Sequence, residues 1–220
     1  AIPPLCRESR ILPKGSVHGE GAKPLACDIL FERDVPVRMR DGVTIYTDIF
    51  RPVTDDPVPA IVSWSPYGKD KHRLDIPWYV AAEKLSNLQK FEGPDPGYWC
   101  AKGYAVLQPD ARGVNNSEGN VWHWGIGEGA DAYDLIEWAG VQSWCNGNLG
   151  MAGTSWLGII QWHTAVLNPP HLKAIAPWDG GDADAYRHTF ARGGVMNTVF
   201  DRGIFKIMVP SSSYYESMSD

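Results

Sequence analysis

Residues 144–158 read WCNGNLGMAGTSWLG, which joins a strand pattern to a helix pattern through a turn that contains Ser155. Within it, residues 148–152 form a short apolar run that predicts a buried strand. Residues 156–167 predict a helix, which the Asn-Pro-Pro sequence at 168–170 ends. A serine between such a strand and helix projects its hydroxyl from the carboxyl end of the sheet, where nearby amides can bind developing negative charge. Ser155 is therefore the candidate nucleophile.

The local motif around Ser155 departs from the general pattern G-x-S-x-G. Gly153 matches the first glycine, but Leu157 stands where the second is expected and Gly158 follows it. A Gly-Thr-Ser sequence by itself also suits a plain turn or a helix cap. The strand before it and the helix after it are what favour a nucleophile.

Strand and helix patterns alternate through most of the chain. Residues 31–39 and 44–50 predict an antiparallel hairpin, because the Asp-Gly pair at 41–42 suits a tight turn. Further predicted elements are strands at 60–64, 104–108 and 172–176 and helices at 78–90 and 131–138, with a loop at 93–97. This order predicts an α/β fold with a mostly parallel sheet, helices on both faces and an antiparallel N-terminal hairpin.

Composition divides the chain into three parts. Residues 1–28 are rich in Pro, Gly and small polar residues and predict an irregular N-terminal arm. Residues 29–178 form the predicted α/β core, and residues 179–220 predict the start of a cap region or a tail. A sheet that ends soon after its nucleophile strand leaves an open edge, which a companion chain or self-association would cover.

Charge and apolar content exclude several classes of function. The 220 residues carry a formal net charge of −6 without a basic run, which argues against nucleic acid. Every apolar stretch is too short for a membrane helix, so we expect a soluble protein, with the cytoplasm favoured. The spacing of the four cysteines predicts no metal site and leaves a Cys6–Cys27 bridge open. No cofactor is expected.

Several other segments carry a family resemblance. They are MRDGV at 39–43, SPYGK at 65–69, GYAV at 103–106, DARG at 110–113, SEG at 117–119 and LKAIAP at 172–177. Together with residues 144–158, they resemble the X-Pro dipeptidyl-peptidase (S15) and cocaine esterase (CocE/NonD) family of α/β-hydrolases, in the family's order and over roughly residues 31–185. The displaced glycine is usual in that family.

The resemblance implies a serine hydrolase that cleaves a small-molecule ester or a peptide through an acyl-enzyme on Ser155. It implies that the oxyanion is held by the backbone N–H of Trp156 and the hydroxyl of Tyr67. The family's acid and histidine follow a helical cap. We therefore expect this sequence, which ends at Asp220, to be truncated before their strands and to be part of a longer or nicked protein.

Other charged residues and histidines have either a structural or a functional interpretation. Asp110 and Arg112 follow a predicted strand and are expected to hold nearby loops rather than to catalyse. The acids at 179, 182 and 184 suit either a solvated loop or a site for a substrate ammonium. His163, His171 and His188 follow Ser155 but are expected to be packed or exposed residues rather than the catalytic base.

Two other functional classes remain as alternatives. One is a truncated, noncatalytic hydrolase-fold module for binding or interaction, in which Ser155 is inert. The other is a nucleotide-binding loop at 125–130, where glycines precede a helix. That loop lacks the G-x-G-x-x-G spacing and the P-loop lysine, and Glu128 would repel a phosphate, so we disfavour it.

Overall fold

A seven-stranded mixed sheet forms the centre of the computed structural model, which describes residues 4–69, 80–181, 184 and 186–203. The strands are β1 (Glu8–Leu12), β2 (Ile29–Arg38), β3 (Thr44–Pro52), β4 (Val58–Val62), β5 (Ala105–Pro109), β6 (Cys145–Thr154) and β7 (Leu172–Trp178). Their order across the sheet is β1-β2-β3-β5-β4-β6-β7.

The two halves of the sheet differ in strand direction. The pairs β1–β2, β2–β3 and β3–β5 are antiparallel, whereas the pairs β5–β4, β4–β6 and β6–β7 are parallel. The α/β prediction and the antiparallel hairpin at its start are confirmed. Among the described residues, β7 is the last strand of the order and forms an edge of the sheet.

Helices cover both faces of the sheet. The covering helices are α1 (Pro96–Cys100), α2 (Ile126–Gly140) and α3 (Trp156–Ala165), and α4 (Thr198–Gly203) follows them in the chain. On one face, α2 and α3 pack in a core with residues such as Leu107 and Met151; on the other, Cys100 of α1 packs near Val106. Val106 and Leu107 are neighbours in β5, so successive side chains enter opposite cores. A small hairpin of β8 (Ala191–Arg192) and β9 (Val195–Met196) precedes α4.

The prediction of an irregular arm over residues 1–28 is wrong for β1. This strand pairs antiparallel with β2, yet only Leu12 among its five side chains is buried. Backbone pairing at a sheet edge needs no alternation of apolar side chains, so the composition gave no sign of a strand.

The predicted helix at 78–90 is also not found where the structure describes it. Residues 80–90 contain only a short 3-10 turn, Ala82–Lys84, and residues 78 and 79 lie outside the described ranges. Conversely, α1 begins inside the predicted loop at 93–97. Asp95 caps it by accepting the Gly97 N–H, and a proline at its first turn suits a helix start.

The four cysteines are free thiols. Cys6 precedes β1, at the end where Glu8 pairs with Arg33, whereas Cys27 lies near the opposite end, where Leu12 pairs with Ile29. A Cys6–Cys27 bridge is therefore not formed. In the described ranges, no three His, Cys, Asp or Glu side chains are grouped in a way that would hold a metal ion. The longest described helix, α2 with 15 residues, falls short of what a bilayer-spanning helix requires.

Candidate active site

Ser155 occupies the turn between β6 and α3. Its backbone has φ 58° and ψ −118°, a conformation that residues other than glycine rarely adopt. The turn is held from both sides: the Ser155 N–H donates to the Trp178 carbonyl (3.0 Å), and the Ser155 carbonyl accepts the N–H groups of Gly158 and Ile159 (both 2.9 Å). The surrounding backbone therefore maintains a strained serine at the start of a helix.

Two glycines permit this turn. Gly153 has φ 144°, and a Cβ there would lie 2.5 Å from the Leu157 Cβ, so its first position in the motif requires glycine. A Cβ on Gly158 would lie 2.7 Å from the Gly180 Cα and 3.0 Å from the Trp178 carbonyl oxygen. The displaced glycine thus allows α3 to approach the backbone that follows β7.

Replacing Gly158 with alanine is expected to destabilise the fold by about 1–2 kcal/mol. Backbone atoms crowd the new methyl group, and this outweighs the better helix propensity of alanine. Urea unfolding of both proteins would measure the change. Gly150→Ala is the matched control, because its Cβ would meet its nearest neighbour at 3.4 Å, an ordinary contact. A Gly158→Ala protein as stable as its parent would contradict the packing argument.

Tyr67 lies on the loop that follows β4, and the structure brings it to the Ser155 turn. Its side chain is buried and packs edge-to-face against Trp156, with ring centroids 5.9 Å apart, and against Phe91 at 5.2 Å. The predicted residues Tyr67, Trp156 and Ser155 thus meet at the carboxyl end of β4 and β6. Because the first N–H groups of a helix have no intrahelical partners, the Trp156 amide at the start of α3 suits an anion.

Buried charges hold the loop that carries Tyr67. The ammonium of Lys69 lies 2.5 Å from an Asp34 oxygen and 2.6 Å from an Asp48 oxygen. Its backbone N–H donates to Asp110 at 2.7 Å. On the other side of Tyr67, the fully buried Lys90 donates to the carbonyl of Ser65 (3.3 Å). Tyr67 is therefore anchored through residues on both sides of it.

Asp110 and Arg112 support loops, as the sequence predicted. Asp110 accepts hydrogen bonds from the Lys69 backbone N–H and from the side-chain amide of Asn115 (2.9 Å). Burial raises the pKa of Asp110. Arg112 makes a two-point contact with Asp131 of α2 (2.8 and 2.6 Å) and an ion pair with Asp41 (2.8 Å). These contacts connect the β2–β3 turn to α2.

Glu128, in the first turn of α2, is a buried residue beside the site that the sequence interpretation missed. One of its oxygens accepts the indole N–H groups of Trp64 (3.0 Å) and Trp156 (2.9 Å), and the other lies 3.1 Å from the Trp156 nitrogen. The carboxyl group thus faces the interior, and this argues against the nucleotide-loop alternative. In the sequence, Glu128 stands between two glycines. A Cβ on Gly129 would lie 2.6 Å from the His163 carbonyl oxygen, so α2 approaches α3 closely beside Glu128.

Two acidic residues flank the other side of the turn. The Glu92 carbonyl accepts the N–H of Thr154, the residue before Ser155, at 3.2 Å. Burial, and then the charge of Asp179, raises the pKa of Glu92 to about 7. Of the acids considered for an ammonium, Asp179 is exposed, Asp184 pairs with Arg187 at 3.6 Å, and residue 182 lies outside the described ranges.

The histidines that follow Ser155 occupy different surroundings. His163 lies within α3, where burial lowers its pKa. His171 contacts Glu137 through Nδ1 at 2.7 Å, before β7, and His188 lies in an exposed helical turn. His123, which the sequence interpretation did not consider, packs edge-to-face against Trp156 with ring centroids 5.0 Å apart.

Comparison with known proteins identifies relatives over most of the chain. The family model of X-Pro dipeptidyl-peptidase (S15 family) matches residues 41–215. Cocaine esterase from Rhodococcus sp. (strain MB1 Bresler) is 40% identical over 155 residues, which are 70% of this chain and 24% of that protein.

Solved structures show the same relationship. A CocE/NonD family hydrolase from Staphylococcus aureus superposes with a TM-score of 0.76 at 38% identity, covering 84% of this chain and 33% of its own. An α-amino acid ester hydrolase superposes with a TM-score of 0.51 at 27% identity, covering 69% of this chain and 25% of its own. This chain therefore spans a quarter to a third of the length of these relatives.

Proposed function

The chain belongs to the X-Pro dipeptidyl-peptidase (S15) family of hydrolases, and from this premise we propose that Ser155 is the nucleophile of a serine hydrolase. The substrate class is an ester or an amide, since the relatives include an esterase and the family is one of peptidases. The observation that carries the proposal is the strained Ser155 between β6 and α3, beside the Tyr67–Trp156 contact.

In the proposed reaction, the Ser155 hydroxyl oxygen attacks the substrate carbonyl carbon while a base removes the hydroxyl proton. The carbonyl oxygen becomes an oxyanion, which accepts hydrogen bonds from the Trp156 N–H and the Tyr67 hydroxyl. Collapse of this intermediate expels the alcohol or amine, which takes the proton from the base. Water then attacks the acyl-serine by the same route and releases the acid.

The base and its orienting acid are, in this proposal, supplied by polypeptide outside this sequence. The lengths of the relatives accommodate such residues, because this chain corresponds to 24% of the esterase and 33% of the staphylococcal hydrolase. The same polypeptide would cover β7, where Trp178 is 65% exposed at the sheet edge. The labelling and kinetic experiments below therefore use the whole natural polypeptide, with or without the stated substitution.

A fluorophosphonate is expected to form an adduct on Ser155, because it reacts with serines that a neighbouring base activates. Peptide mass spectrometry would locate the adduct. The labelling rate is expected to rise as pH increases through about 6.5, since a histidine base must lose its proton to act. A heat-denatured sample is the control and should remain unlabelled.

The same experiment tests the noncatalytic alternative. If Ser155 stays unmodified under conditions that label a control serine hydrolase, the hydrolase proposal is wrong and an inert module is favoured. An adduct on a different serine would also contradict the assignment of Ser155. Labelling without the rise near pH 6.5 would contradict the histidine base.

A further inference from the structure

Glu128 connects the two segments that carry the proposed oxyanion donors. Trp64 lies three residues before Tyr67, and Trp156 directly follows Ser155. Both indole N–H groups donate to the same carboxyl oxygen of Glu128, at 3.0 and 2.9 Å. All three side chains of this cluster are buried: Trp64 is 1% exposed, Trp156 0% and Glu128 2%.

We propose that Glu128 is a positioning residue that sets the distance between the Tyr67 hydroxyl and the Trp156 N–H. This inference rests on the proposed hydrolase function and deepens it. A hydrogen bond prefers a nearly linear donor–acceptor arrangement, so the shared carboxyl group adds a directional constraint on the rotation of each indole to that of packing. The Trp156 ring also packs against the Tyr67 ring. Fixing the rotation of the Trp156 ring therefore constrains both the Tyr67 side chain, which carries the hydroxyl donor, and the Trp156 backbone, which carries the N–H donor.

The burial of Glu128 suits this role. Burial raises the pKa of Glu128 to about 8, although the indole donors from Trp156 and Trp64 act in the opposite direction. Because the whole cluster is buried, the indole N–H groups and the carboxyl group satisfy one another in place of water. Removing the carboxyl group would leave two buried donors without this partner.

Steady-state kinetics with p-nitrophenyl acetate test the proposal. Glu128→Gln keeps one acceptor oxygen for both indoles but replaces the other oxygen with an NH₂ group, which is a donor. This variant is expected to lower kcat by about tenfold. Glu128→Leu removes both acceptors and is expected to lower kcat by about a hundredfold. KM should change less than threefold in both, because the oxyanion forms only after substrate has bound.

Glu137→Gln is the matched control. It makes the same chemical change in the same helix, but Glu137 contacts His171 rather than the indoles. Its kcat is expected to stay within twofold of the parent. Glu128 variants that match this control, or whose losses lie in KM, would overturn the proposal.

A double-mutant cycle with Tyr67→Phe separates positioning from general damage to the fold. When the Tyr67 hydroxyl is absent, Glu128→Gln should cost a smaller factor in kcat than in the parent. An undiminished loss would overturn the proposal. If the Glu128 variants do not fold, Trp64→Phe removes one indole donor, keeps an aromatic ring, and is expected to lower kcat by about tenfold with KM unchanged; an unchanged kcat would overturn the proposal.

The parent protein distinguishes this inference from its premise. If the parent neither turns over the ester nor reacts at Ser155, the hydrolase function fails, and the inference fails with it. If the parent is active and the Glu128 variants equal it, only the positioning role is wrong.

Discussion

Ser155→Ala is expected to lower kcat for an activated ester by about 10⁴-fold or more. Without the hydroxyl, no acyl-enzyme can form, and the remaining oxyanion donors can assist only the slow direct attack of water. The turn itself should persist, since its hydrogen bonds to Trp178, Gly158 and Ile159 all use the backbone of residue 155. Initial rates with p-nitrophenyl acetate would measure the loss.

The control for this change is Ser9→Ala, a serine exposed on the edge strand β1. Its kcat is expected to equal that of the parent. Thermal unfolding of both variants should show similar midpoints, which would assign the loss at Ser155 to chemistry rather than to unfolding. A Ser155→Ala protein that retains kcat within tenfold would exclude Ser155 as the nucleophile.

Tyr67→Phe is expected to lower kcat by about 10²- to 10³-fold, the cost typical of losing one oxyanion donor. The phenyl ring preserves the contacts with Trp156 and Phe91, so packing should change little. Because the hydroxyl acts on charge that appears only in the transition state, KM should stay within about threefold. Steady-state kinetics with the same ester would separate the two constants.

Tyr133→Phe provides the comparison for Tyr67. Tyr133 lies on α2, where its ring packs beneath the guanidinium of Arg40, 5.0 Å from the ring centre. Loss of its hydroxyl should leave kcat unchanged. If Tyr67→Phe behaves in the same way, the phenol does not bind the oxyanion; if its loss lies in KM alone, Tyr67 contributes to ground-state binding instead.

Local patterns were sufficient for the nucleophile turn and for most of the sheet. Strands β2 to β7 and helix α3 were predicted close to their observed bounds, since each carries apolar residues in a run or at a regular period. The family resemblance named Tyr67 and Trp156, whose roles remain predictions. The structure adds that their rings are in contact.

The sequence patterns failed in two places. Strand β1 was missed because it forms through backbone pairing at an edge, and its exposed side chains carry no apolar period. A helix was predicted at 78–90, where apolar residues recur near helical spacing, but backbone carbonyl groups in residues 80–90 accept hydrogen bonds from outside the segment. The Leu85 carbonyl accepts the Lys23 N–H, and the Leu88 carbonyl accepts the Gln108 side chain.

The strand, turn and helix around Ser155 follow from the sequence, because they depend on residues that are close together along the chain. The groups that surround that turn are known only from the folded structure. Glu128 meets indoles that are 64 and 28 residues away, and Lys69 meets Asp34 and Asp48 across separate strands. The order of the strands brings Lys69 to its two aspartates, and packing of α2 beside α3 brings Glu128 to Trp156. Sequence spacing does not encode these meetings, although each buried polar group needs such a partner once water is excluded.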